Sequence, residues 1–102
     1  MASSLLPEIG QIVRVIRGQD TGKHAVIIGV VDQRYVWIAD GSKRKFDEPK
    51  KKNLIHLELL PVISTEVSDS IRTTGRVTNG KLRFALNKYV IPSSIEAQEK
   101  GE

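Results

Sequence analysis

Six cations crowd one short window of the chain: Lys43, Arg44, Lys45, Lys50, Lys51 and Lys52. Only Asp47 and Glu48 oppose them there, so this window carries the whole of the formal charge of +4, and the remainder is balanced. A neutral body with one concentrated basic segment suits a localised polyanion, because lysine and arginine neutralise phosphates without demanding exact geometry. The same charges would also serve as a solvated face. A second group, Arg14, Arg17 and Lys23, flanks Gly18 and Gly22. Glycines there permit close approach of backbone N–H groups to phosphate, and they are equally the default residues for a tight turn. His56 falls near the lysines on the same alternation as Glu58 and joins the candidate nucleic-acid contacts.

Other chemistry is poorly supported. Residues 18–23, GQDTGK, are one residue short of a phosphate-binding P-loop, and His24 stands where the magnesium-binding hydroxyl belongs. The chain has no cysteine and its two histidines are far apart, so neither a thiolate site nor a zinc site is expected. Asp47 and Glu48 read as charge tempering among cations rather than as an acid–base pair. No nucleophile occupies a recognisable frame. We therefore expect no catalytic residue, no metal, no cofactor and no small-molecule substrate. The longest apolar run, residues 25–31, is far below the ~20 residues of a membrane span, and the N-terminal residues lack a signal-peptide pattern. A soluble, cytoplasmic protein without a membrane partner is the expectation.

At 102 residues the chain has room for one small domain. Residues 11–17 are rich in β-branched types and bounded by Gly10 and Gly18, a strand signature. Residues 25–31 are too apolar for a half-exposed strand and suit one buried on both faces, with Gly29 marking a bulge or bend. Residues 35–39 follow after the hairpin-length link Asp32-Gln33-Arg34. Asp40-Gly41 is a turn signal, and a short strand over 43–46 would complete that hairpin until Pro49. Residues 53–60 alternate, with Ile55, Leu57 and Leu59 on one side, His56 and Glu58 on the other, and Pro61 as the stop. Five short strands in about fifty residues describe a small β-barrel. On the third strand Tyr35 and Trp37 share a face opposite Val36 and Ile38. If the aliphatic pair fills the barrel, the rings lie outside, where they would stack on unpaired bases or pack beneath a C-terminal helix. Phe46 would either contact RNA or close a barrel end.

Beyond Pro61 the pattern becomes helical. Val67 and Ile71 permit a short helix within residues 64–74. Thr78-Asn79 precede a segment in which Leu82, Ala85, Leu86 and Tyr89 form an apolar stripe ending before Pro92. A helix of that length needs something to pack against, either the barrel or a partner. Residues 93–102 are polar and expected to be disordered.

Residues 10–23, GQIVRVIRGQDTGK, resemble the KOW motif, with Gly22 as its signature glycine and residues 25–31 as its second strand. The continuation VVDQRYVWIADG (30–41), the basic run, and KNLIHL (52–57) is similar to the KOW-bearing large-subunit ribosomal proteins of archaea and eukaryotes. Residues 77–86 are similar to a helix of some bacterial members. The likeness covers about half the chain. It implies a mainly β fold: an SH3-like barrel of about five strands (10–61) after an N-terminal arm (1–9), then a helical extension (62–92) and the tail. It further implies an RNA-binding protein of the translation apparatus, with ribosomal RNA and neighbouring ribosomal proteins as partners. The RNA contacts expected from the residues themselves are Arg14, Arg17, Lys23, Lys43, Arg44, Lys45, Lys50, Lys51, Lys52 and His56. A protein-interaction module, contacting a ribosomal protein or a polymerase-associated partner through the 82–89 stripe and the aromatics, is the alternative.

Overall fold

A computed structural model describes residues 6–89. The expected disordered tail, the helix stop at Pro92 and the first residues of the N-terminal arm lie outside this range. Five strands, β1 (Gln11–Val15), β2 (His24–Val30), β3 (Tyr35–Ala39), β4 (Lys50–Asn53) and β5 (Leu57–Ile63), form one antiparallel sheet in the order β4-β3-β2-β1-β5. Helices α1 (Thr65–Thr74) and α2 (Asn79–Tyr89) follow. The fold is thus mainly β with two short C-terminal helices.

Each face of the sheet buries an apolar cluster. Val13, Val15, Ala25, Ile27, Val36, Ile38 and Leu57 form one buried cluster, with Leu54 and Leu59 at its margin. Only strands and the 3-10 turn Leu54–His56 contribute to it, so the sheet must curl on itself to exclude water, as a small barrel does. The opposite face buries Ile12, Val26, Ile28 and Ala39 against Val67, Val77, Leu82 and Ala85 of the helical segment. Strand β2 supplies both clusters, which explains its unbroken apolar run. Only its far end departs from expectation, because Val30 and Val31 emerge into solvent beside the hairpin.

Two register shifts bend the sheet. One lies between Ile27 and Gly29 against β3, where the sequence places it. The other lies on the β1–β5 pair, where Gln11 faces Ile63 but Val13 faces Leu59. Pro61 therefore does not end β5. It sits within the irregular stretch of an edge strand, where no ladder N–H is required of it. The buried Gln11 side chain bridges the gap, accepting from the Glu8 N–H and donating to the Leu60 carbonyl, each at 3.0 Å.

Two further expectations are corrected. Residues 43–46 form turns rather than a strand, because the Asp40 carboxylate captures the N–H groups of Ser42 and Arg44 (2.8 and 2.9 Å) and keeps the chain coiled. The pairing strand forms later, as β4, so part of the basic segment is an edge strand and not a loop. Residues 54–56 form the 3-10 turn, capped by Asn53 on the Ile55 N–H, and Ile55 is left 73% exposed instead of sharing the Leu57 face.

The helices start and stop on local chemistry. The buried Ser64 hydroxyl accepts from Val67 N–H and caps α1, while Gly75 ends it in the left-handed conformation. The Thr78 hydroxyl accepts from Lys81 N–H at the start of α2. The stripe of α2 docks on its own sheet, with Leu82 and Ala85 buried and Leu86 and Tyr89 half-buried. Glu66 joins the helices through Lys88 (3.1 Å). Leu82 is fully enclosed between α2 and the sheet. Leu82→Ala should cost about 2–5 kcal/mol, read as a lower urea midpoint with an unchanged slope.

Candidate nucleic-acid interface

The loop between β1 and β2 is closed by its own backbone. Val15 N–H donates to Lys23 C=O (2.8 Å), Gly22 N–H to Val15 C=O (2.7 Å) and Thr21 Oγ1 to Gly18 C=O (2.6 Å). Gly22, with φ of +93°, takes the backbone conformation that side chains resist. Two distant cations fasten onto this loop. Lys43 Nζ lies 3.3 Å from Asp20 Oδ1, and Lys52 Nζ donates to the Arg17 carbonyl at 3.3 Å. Arg17, Lys23, Lys43 and Lys52, drawn from two separate stretches of sequence, thereby meet at one end of the sheet. Lys50 lies on the same face of β4 as Lys52, since they pair with Ile38 and Val36. Burial pushes the Asp20 carboxyl up, but the hydrogen bond and charge of Lys43, with Lys23 and Arg44 behind them, hold it below the usual carboxylate range.

The remaining expected contacts are distributed differently. Arg44 is half-buried in a crevice shared with Asp20 and Lys43, and its Nε has no partner among the described residues. Lys45 is exposed. Lys51 turns to the helix-bearing face of the sheet, opposite Trp37 in register. Arg14 is on that face too, with its guanidinium bound to Glu58 at 2.9 Å. His56 is half-buried, and its carbonyl accepts from Ile16 N–H, next to Arg17. Phe46 is packed against the helix-side core, with Arg76 5.3 Å over its ring. Trp37 is 38% exposed and is not covered by α2.

Positioning of the basic segment depends on Asn79, expected only as a helix signal, and on Arg83, which carries no local signal. Asn79 Oδ1 accepts from the Phe46 N–H at 2.7 Å, and Arg83 Nη1 donates to the Gly41 carbonyl. Gly41, at φ +84°, lies so close to α2 that a β-carbon would collide with the Asn79 carbonyl. These contacts span some forty residues of sequence and have no local signature; only Asp40-Gly41 as a turn was visible. Among the described residues no helix is long and apolar enough to cross a membrane, and no cluster of His, Cys, Asp and Glu would hold a metal.

The fold and this cationic end define a small antiparallel β domain with a helical brace. Over 71 residues the chain is 45% identical to a protein of Bacillus subtilis (strain 168) named "Putative ribosome-binding protein YbzG", an alignment covering 70% of this chain and 96% of that protein. The chain belongs to the family of YbzG. No protein-family model matches it.

His24, paired in register with Arg14, offers a pH test of this end of the sheet. Burial lowers its pKa from 6.5, the Arg14 charge lowers it further, and Glu58 only partly offsets them. The unfolded chain then binds the proton more tightly than the folded one. Stability should be complete above pH 6.5 and decline as pH falls through the lower folded value. Urea unfolding between pH 7.5 and 5 should show this loss, and His24→Gln should flatten it.

Proposed function

We propose that this protein associates with the ribosome by docking the cationic end of its barrel on the phosphate backbone of large-subunit ribosomal RNA. The observation that carries this reading is the convergence of Arg17, Lys23, Lys43 and Lys52 through the Lys43–Asp20 and Lys52–Arg17 contacts. Lys50 extends that surface, Arg44, Lys45 and Lys51 flank it, and Arg14 and His56 are supporting candidates. Ribosome association agrees with the name of the YbzG relative, which describes a binding protein rather than an enzyme. The role of a KOW-type barrel, and its span over residues 10–61, rest on the sequence resemblance. A structured RNA is recognised largely through its backbone and shape, for which a cationic barrel end is sufficient. On this reading the protein is a non-enzymatic cytoplasmic component of the translation apparatus.

A protein-contact module is the second reading; the Leu82 and Ala85 part of its expected surface is buried against the chain's own sheet, while Trp37 stays exposed. What favours it is an open apolar crevice lined by Leu6, Pro7 and Val30 beside the β2–β3 hairpin. Salt separates the two. The combined variant Lys50→Glu, Lys51→Glu, Lys52→Glu should abolish cosedimentation with the large subunit at low salt. For isolated ribosomal RNA, Lys50→Gln, Lys51→Gln, Lys52→Gln should reduce the log–log salt slope by about 2–3, at ~0.7–0.9 per phosphate lost. Unchanged cosedimentation and slope, with an unchanged thermal midpoint, would exclude these lysines as phosphate contacts.

A further inference from the structure

The helix-bearing face of the sheet extends past the helices, and there it carries an aromatic pair that phosphate docking leaves unused. Tyr35 and Trp37 share this face, while Val36 and Ile38 between and beyond them are buried inside the barrel. The helices cover Ala39 on the same strand but not Trp37, the chain's single tryptophan. An indole left 38% exposed forgoes burial that would stabilise the fold. Its seat is specific: a β-carbon on Gly29 would stand 3.3 Å from Trp37 Cδ1, so the absent side chain lets the ring lie against β2. Across the strand pair, Lys51 faces Trp37 in register, and its ammonium lies 5.0 Å from the Tyr35 ring centroid. The nearest carboxylate on the hairpin, Asp32, is engaged by the N–H groups of Arg34 and Tyr35 (2.8 and 2.9 Å).

An exposed ring beside a lysine-rich edge strand matches a ligand that alternates flat apolar faces with negative charges. Unpaired RNA has that alternation; a duplex hides its base faces in the stack. An apolar peptide would instead meet the Lys51 charge on this face without compensation. We propose that Trp37 is a stacking platform for an unpaired RNA base, with Lys51 meeting the adjoining phosphate. This rests on the reading that the partner is RNA, and adds to the phosphate surface a second contact that selects single-stranded segments.

Because Trp37 is the only tryptophan, its fluorescence reports this face alone. The full chain would be titrated with a short oligoadenylate and, separately, with a blunt RNA duplex. Oligoadenylate should quench the emission. Trp37→Ala should weaken oligoadenylate binding about 5- to 150-fold, the equivalent of ~1–3 kcal/mol for one stacked base, and leave duplex binding within about twofold. Trp37→Phe should restore most of the affinity. Trp37→Leu, which keeps apolar packing on Gly29 without a stacking ring, should not, so a general loss of folding is distinguished from a loss of stacking. Duplex binding without oligoadenylate quenching overturns the platform alone. Failure to bind either RNA overturns the RNA reading and the platform with it. Quenching by polyglutamate as strong as by oligoadenylate overturns base stacking in favour of an acidic protein.

Discussion

A single curled sheet with two apolar faces is the constraint on which the rest of this molecule depends. Strand β2 imposes it, sending Ala25 and Ile27 into the barrel and Val26 and Ile28 outward. The inner face is closed by curvature, supplied by the bulges at Gly29 and between Gln11 and Val13. Curvature does nothing for the outer face. A barrel alone would leave Ile12, Val26, Ile28 and Ala39 in water, and α1 and α2 are the cover they require.

That cover has a second consequence. Helix α2 reaches the outer core through Leu82 and Ala85, and from the same helix Asn79 and Arg83 grip the β3–β4 connection. The cationic segment is therefore not a free arm. It is braced at Gly41 and Phe46 by the helix and at Lys43 and Lys52 by the β1–β2 loop. The Lys43 and Lys52 ammonium groups are held by the loop, and the backbone that presents them is held by the helix. Core packing and the candidate site are thus coupled through a single short helix.

The elements whose signals are local were legible in the residues. The doubly buried β2, the Gly29 bulge, the Asp40-Gly41 turn and the α2 stripe all depend on neighbours within a few positions, and all appear in the fold. The misplacements share a cause. The strand expected over 43–46 gave way to side-chain capture of backbone by Asp40, and Pro61 was accommodated because β5 proved to be an edge. Neither edge status nor cross-sheet register is encoded in a short window. The same holds for the candidate site. Composition located the cations, but which of them gather was decided by pairing: Lys52 and Lys51, adjacent in sequence, fall on opposite faces of β4. The grip of Asn79 on Phe46 was invisible for the same reason.

The open sheet has two edges, and each is built to refuse a neighbour. Strand β5 carries Pro61, which cannot donate to a ladder, and β4 is Lys50-Lys51-Lys52-Asn53. A second copy approaching β4 would bring another row of lysines against the first, and the repulsion would act before any backbone hydrogen bond could form. The lysine strand is thus also a guard on self-association.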